Sequence, residues 1–165
     1  MNKINKEETI EWLNTNGKDF IGGTCEWISI NSNEGREDVS DNYYLELITD
    51  ETFIIRNRQY WEGRSVTEYY KEVSFKSILY QDVSTITIEV NKDCPEISYF
   101  VIKTEKTEPY KYWRISNGSK VEMSNNSTNL RINYYKDNEE NAKRVLKAIM
   151  HLAKLSGAKE NKQTF

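Results

Sequence analysis

The C-terminal stretch RVLKAIMHLAKLSGAK, residues 144–159, is the most strongly patterned part of the sequence and constrains the fold most. At about 100° per residue, its apolar side chains fall on one stripe of a helix and its basic side chains on the opposite side. The stripe consists of Ala142, Val145, Leu146, Ile149, Leu152 and Ala153, and the polar side of Lys143, Arg144, Lys147, His151 and Lys154. Asp137 and Glu140 suit the start of this helix and Gly157 its end, so the sequence predicts a helix over 137–157.

A helix with this apolar stripe needs a surface to cover. Burial of a large aliphatic side chain is worth about 1.5–3 kcal/mol, whereas solvated lysines contribute little. We therefore expect the helix to cap a sheet-built body. A helix that binds a partner or a membrane is the alternative, but the stripe lacks the Trp and Phe that are common on membrane-surface helices.

The central region, residues 20–135, has a residue pattern typical of antiparallel strands. Short runs rich in Ile, Val, Tyr, Thr and Trp alternate with clusters of Asn, Gly and Asp, a pattern typical of strands joined by turns. The predicted strands are 24–30, 43–49, 52–61, 65–73, 84–90, 97–104, 110–116 and 129–135, with a small additional strand at 120–123. Short connections, including 105–108, predict hairpins in a meander. A short helix over 5–17 precedes this body and a flexible tail, 158–165, follows the capping helix.

The composition limits the class of protein. A length of 165 residues fits a single domain, 1–165, and a net charge of −3 provides no positive field that would drive general nucleic-acid binding, so we do not expect nucleic acid as a partner. The N-terminus carries charges where a signal peptide needs an apolar run, and no segment approaches the roughly 20 apolar residues of a transmembrane helix. We expect a cytoplasmic protein in which Cys25 and Cys94 are free, partly buried thiols, a disulfide being the less favoured alternative.

No catalytic or metal-binding signature is present in the sequence. His151 is the only histidine and is expected to be an exposed helix residue. The acidic segment NEGREDVSDN, residues 33–42, lacks the ligand spacing of a calcium loop and is expected to be a solvated loop. We therefore predict no enzyme, no catalytic residue, no metal and no cofactor.

Two regions mix basic and aromatic residues, RNRQYWEGR and KTEKTEPYKYWR. Guanidinium and ammonium groups bind phosphate or carboxylate, and aromatic faces accept a ring or a cation. The candidate ligand-binding residues are Arg56, Arg58, Tyr60, Trp61, Arg64, Lys111, Trp113 and Arg114. The alternative, which we favour, is that the aromatic residues form cross-strand packing pairs and the charges form the solvated face of a sheet.

Three segments carry a resemblance to a known architecture: EVSFKSI, YFVIKT, and LRINYYKDNEENAKRVLKAIMHLAKL. Their order resembles the pleckstrin-homology-like fold over residues 23–159. This resemblance implies a mainly β domain, an antiparallel meander in a two-sheet barrel closed by a C-terminal helix, with binding on loops or sheet edges. A lipocalin-like barrel is the rival, because GGTCEW loosely resembles the Gly-x-Trp turn of that group, although three residues separate Gly23 from Trp27.

The expected function is therefore that of a non-enzymatic cytoplasmic binding or adaptor domain. Its partner would be a protein or peptide that binds at a loop or a sheet edge, because edge pairing requires no special side chains. One alternative is a small-ligand carrier with an internal cavity. Another is a domain that binds an anionic headgroup or a phosphate through the basic and aromatic hairpins.

Overall fold

The computed structural model describes residues 5–31, 35–63, 66–105, 110–125 and 127–162, and within them the chain is mainly β. The helices are α1 (Lys6–Thr15) and α2 (Glu139–Leu155). The strands are β1 (Gly23–Asn31), β2 (Gly35–Glu46), β3 (Thr52–Trp61), β4 (Thr67–Ser74), β5 (Thr87–Val90), β6 (Ile97–Lys103), β7 (Lys111–Ser116), β8 (Ser119–Met123) and β9 (Asn129–Tyr135).

The strands form two antiparallel sheets. The large sheet has the order β1-β2-β3-β4-β7-β8 and the small sheet the order β5-β6-β9. The first four strands follow one another as expected, and the predicted small strand at 120–123 is β8. Strands β6 and β7, which were expected to form a hairpin, lie in different sheets, and residues 106–108 of the connection expected between them lie outside the described residues. The two sheets do not close into the barrel that the resemblance implied.

Helix α2 covers the apolar core, as the sequence predicted. All six residues of the apolar stripe are buried, together with Met150. They pack in one cluster with Phe53 and Phe75 from the large-sheet side and Phe100 and Ile132 from the small sheet. The start of α2 differs from the prediction, since a short 3-10 turn occupies Lys136–Asn138 and Asn138 takes the N-cap position expected for Asp137.

Helix α1 begins where its sequence predicted. The side chain of Asn5 accepts a hydrogen bond from the backbone N–H of Glu7 at 3.0 Å, which satisfies one of the free donors of the first turn. Leu13 is fully buried in the core cluster. Neither helix in the described ranges is long and apolar enough to cross a membrane.

The acidic segment 33–42 was wrongly expected to be a loop. Residues 35–42 belong to β2, the longest described strand, in which Val39 and Asp41 point inward and are buried. The Asp41 carboxylate accepts hydrogen bonds from Trp27 Nε1 at 2.6 Å and from Gln59 Nε2 at 2.9 Å. These donors compensate the loss of solvation that a buried carboxylate suffers, and they let an acidic stretch enter a sheet.

The predicted strand 84–90 is shorter than expected. Residues Val83–Thr85 form a 3-10 turn, and all four residues of β5 are exposed. The alternation of apolar and polar residues along 84–90 predicts that Ile86, Ile88 and Val90 share one buried face, but only Ile86 is buried, while Ile88 and Val90 are solvent-exposed. Strand β5 lies at the edge of the small sheet, and no described residue buries either of its faces.

The expectation of free thiols is also wrong. Cys25 on β1 and Cys94 in the turn before β6 form a disulfide, with their Cα atoms 5.7 Å apart. Both cysteines are buried, and Ile97, Trp27 and Tyr43 pack around them. The bond connects the large sheet to the small one, and a sequence separation of 69 residues gave no sign of this proximity.

Candidate functional site

The candidate residues drawn from the sequence do not form one site. Side chains alternate between the two faces of a strand, and we call the face of the large sheet that carries buried Phe53 and Val73 the inner face. Arg56, Arg58, Tyr60, Lys111 and Trp113 lie on the outer face, whereas Trp61 and Arg114 lie on the inner face. Arg64 lies outside the described residues.

On the outer face the arginines already have carboxylate partners. Arg56 forms ion pairs with Glu46 at 3.2 Å and Glu68 at 3.9 Å, and Arg58 lies 3.7 Å from Glu68. The Arg56 guanidinium also stacks on Tyr44, 4.5 Å from the ring centre. These contacts support the interpretation as cross-strand packing and reduce the positive charge available to a phosphate.

On the neighbouring strands, stacking between side chains reduces the aromatic surface that is open to a ligand. Tyr70 and Trp113 stack with parallel rings whose centres are 5.4 Å apart, and the Lys120 ammonium lies 4.9 Å from the Trp113 ring centre. The ring faces that could accept a ligand are therefore partly occupied by the protein's own side chains.

His151 also departs from its expected environment. It is half-buried on α2 instead of exposed, and its Nε2 is buried without a hydrogen-bond partner among the described residues. Within the same ranges, no three His, Cys, Asp or Glu side chains converge in a way that could hold a metal ion.

The side of β1 that faces away from β2, here called the β1 edge, carries main-chain groups that pair with no residue in the described ranges. Near the start of β1 this edge is occupied, since Gly22 N–H donates to Asn133 O at 2.6 Å and Thr24 N–H to Tyr135 Oη at 2.9 Å. Every second residue of a strand points its N–H and C=O to the same side. The main-chain groups of Ile28 and Ile30 therefore point to the β1 edge, and no described residue pairs with them there.

Apolar and acidic side chains surround this open part of the edge. Ile28 is 46% exposed and Ile30 is 85% exposed. The neighbouring concavity has a volume of about 740 Å³, and its described lining includes four carboxylates and no basic residue. The four carboxylates are Glu26, Asp38, Glu62 and Asp93. A basic residue, Arg36, lies directly opposite Ile30 in the β1–β2 pairing.

Contacts on the inner face of β1 hold this strand in position. Trp27 packs edge-to-face on Trp61, with ring centres 5.7 Å apart, and donates to buried Asp41. Cys25 is fixed by the disulfide. Because Cys25 and Trp27 anchor the inner face, Ile28 and Ile30 on the alternate face have no role in the core. The sequence signal was present in TCEWISIN, which carries large apolar residues on both faces, but the sequence does not say which strand lies at an edge.

Neither a protein-family model nor a curated protein nor a solved structure matches this chain.

Proposed function

We propose that this domain is a non-enzymatic binding module that takes an extended peptide on the β1 edge. The observation that carries the proposal is the pair of residues, Ile28 and Ile30, whose main-chain groups point outward with no partner in the described chain. A peptide strand laid alongside would donate to and accept from these groups, which extends the large sheet by one strand.

The energy terms predict that the β1 edge binds a peptide with modest affinity. Each new main-chain hydrogen bond contributes about 0.5–1.5 kcal/mol net, and covering Ile28 and Ile30 adds up to about 1.5–3 kcal/mol for each side chain. Ordering the peptide opposes these gains. A short edge of this kind is therefore suited to reversible recognition and needs side-chain selectivity from its surroundings.

The carboxylates around the edge supply that selectivity. Glu26, Asp38 and Glu62 are exposed on the outer side, and Asp93 lies beyond the edge in the turn that holds Cys94. A peptide that alternates basic and apolar residues places its basic side chains near these carboxylates and its apolar ones against Ile28 and Ile30. The same charges disfavour nucleic acid and a second acidic copy of this chain.

We further propose that the architecture is pleckstrin-homology-like. Two antiparallel sheets, with a single helix after the last strand that covers their core, support this proposal. The β7–β8 hairpin, which joins the large sheet between two strands of the small sheet, is a departure from the simple meander. A cytoplasmic location stays a prediction, and the Cys25–Cys94 disulfide weighs against it because such bonds persist mainly in oxidising compartments.

Selection from a random peptide-display library tests the proposed function. We expect enriched peptides with alternating basic and apolar residues, and we expect Ile28→Lys/Ile30→Lys to abolish the enrichment, since lysines at an edge oppose strand addition. Val121→Lys is the matched control, because Val121 is an exposed residue on β8 at the opposite edge of the same sheet. Enrichment that survives the double substitution would refute the β1 edge as the site. A wild-type dimer that Ile30→Lys makes monomeric would show instead that a second copy occupies the edge.

A further inference from the structure

A second concave surface lies between the two sheets and is independent of the β1 edge. Its walls are the inner face of the large sheet and the face of the small sheet opposite to buried Phe100 and Ile132. The cleft has a volume of about 490 Å³, which is within the range of small-molecule sites. We call it the inter-sheet cleft.

Two cations line the inter-sheet cleft without a carboxylate partner. Lys71 comes from β4 and Arg131 from β9, so each sheet contributes one. Neither forms an ion pair with any carboxylate in the described chain. Both cations lie over aromatic rings: the Lys71 ammonium is 5.5 Å from the ring centres of Tyr110 and Tyr112, and the Arg131 guanidinium is 4.8 Å from that of Tyr99.

Two nearby carboxylates, Asp41 and Glu89, accept hydrogen bonds from other side chains and form no ion pair with either cation. Asp41 is buried and accepts from Trp27 and Gln59, while Glu89 accepts the Tyr99 hydroxyl at 2.7 Å. Burial lowers the pKa of Lys71, and the positive charge of Arg131 lowers it further. Lys71 and Arg131 therefore present positive charge that no described carboxylate pairs with, and a bound anion would stabilise it.

A polar group in the cleft also lacks a partner. The side-chain oxygen of Asn57 is buried and receives no hydrogen bond from any described residue. A buried acceptor left in this state is destabilising, and a hydrogen bond from a ligand would remove that cost. Asn57 as a whole is only half-buried and lines the cleft, so its amide belongs to the wall that a bound ligand would contact.

Tyrosine rings complete the walls. Tyr69 and Tyr112 lie side by side, with ring centres 6.3 Å apart, and both line the cleft. Aromatic faces of this kind pack against the apolar face of a sugar ring. Burial raises the pKa of Tyr43, which also lines the cleft; the charge of Asp41 and, less strongly, that of Asp93 raise it further, while the charge of Arg131 lowers it. Asp41 accepts a hydrogen bond at 2.9 Å from Gln59, which lines the cleft, so its negative charge lies next to the cleft and favours a ligand with one negative charge over one with two.

We infer that the inter-sheet cleft binds a small hydroxylated carboxylate of the sugar-acid class. The carboxylate lies between Lys71 and Arg131, a ring hydroxyl donates to the Asn57 oxygen, and the ring packs against Tyr69 and Tyr112. Loss of either cation removes half of the charge-assisted contacts, and affinity falls at least about tenfold.

Calorimetric titration with three probes tests this inference. Glucuronate carries the carboxylate, glucose lacks it, and glucose 6-phosphate replaces it with a more highly charged group. We expect glucuronate to bind most tightly to the wild-type protein. Lys71→Met and Arg131→Met should each weaken glucuronate binding at least about tenfold. Lys111→Met is the matched control, since it removes the same charge from the outer face of the large sheet, and it should leave binding unchanged.

Several outcomes would overturn the inference. They are no glucuronate binding at millimolar concentration, equal binding of glucose, tighter binding of glucose 6-phosphate, or equal weakening by Lys111→Met. If Lys71→Met fails to fold, Lys71→Arg and amide chemical shifts of the wild-type protein decide the matter. Lys71→Arg should retain binding, and glucuronate should shift the signals of Asn57, Tyr69 and Tyr112. Shifts confined to other regions would contradict the inference.

Discussion

Removal of the disulfide should cost this domain a large part of its stability. Cys25 and Cys94 close a loop with a sequence separation of 69 residues, and the chain-entropy relation gives about 4.4 kcal/mol for a loop of that length. Measured values are commonly smaller, about 2–4 kcal/mol. We therefore expect Cys25→Ala/Cys94→Ala to lower the free energy of unfolding by at least about 2 kcal/mol. Cys94 also holds the turn that brings Asp93 to the β1 edge, so peptide binding should weaken as well.

Urea unfolding followed by tryptophan fluorescence measures this cost. The air-oxidised wild-type protein is compared with the same protein under reductant and with the double variant. The reduced protein keeps both sulfur atoms, so it separates the effect of the bond from the loss of side-chain volume. Two titratable thiols in the oxidised, denatured protein would refute the reasoning. So would equal unfolding midpoints for the oxidised and reduced forms.

Three further perturbations follow from single sites. Leu146→Ala, in the buried stripe of α2, should lower the free energy of unfolding by about 2–5 kcal/mol, as measured by urea unfolding. Exposed Lys147→Ala is the control and should change it by less than about 0.5 kcal/mol. Equal effects of the two substitutions would contradict the role of α2 as a cap on the core. Gly22 has a φ of 104°, and a Cβ there would collide with the Tyr43 carbonyl. Gly22→Ala should therefore lower the melting temperature far more than Gly35→Ala, which has a φ of 81° and open space around it; a similar loss at both would show that φ alone decides. Burial raises the pKa of Tyr43 from 10.0 to about 12. The unfolded chain loses this proton first, so stability should fall between these two pH values, and Tyr43→Phe should reduce the fall.

The helix and the strand-rich body could be predicted because their signals are local. The stripe from Ala142 to Ala153 repeats at the helical period, and every member is buried. The strand runs likewise carry their β-branched and aromatic residues within a few positions of one another. Patterns of this kind depend on the residue types alone and need no knowledge of distant partners.

The errors concern features that depend on distant partners. Nothing near Asp41 in the sequence shows that Trp27 and Gln59 will satisfy a buried carboxylate, so the acidic strand β2 was taken for a loop. Cys25 and Cys94 meet only because the two sheets meet. Both cases depend on tertiary contacts, which local composition does not report.

The candidate sites likewise divide into residues that were visible in the sequence and residues that only the tertiary structure brings together. The basic and aromatic residues near Arg56 and Trp113 were conspicuous in the sequence. In the structure, alternation along each strand divides them between the two faces of the sheet, and Arg56 is in addition paired with a carboxylate. Lys71 and Arg131 were not selected, because each is an ordinary strand residue until two sheets bring both into one cleft. The free edge at Ile28 and Ile30 follows from strand order, which the sequence leaves open.

Residue-resolved amide hydrogen exchange, measured with and without a peptide from the display selection, tests strand addition at β1 most directly. The amides of Ile28 and Ile30 point to the open edge and should become strongly protected when the peptide binds. Those of Trp27 and Ser29 point toward β2 and should change little. Binding that leaves the Ile28 and Ile30 amides as fast as in the free protein would contradict the account.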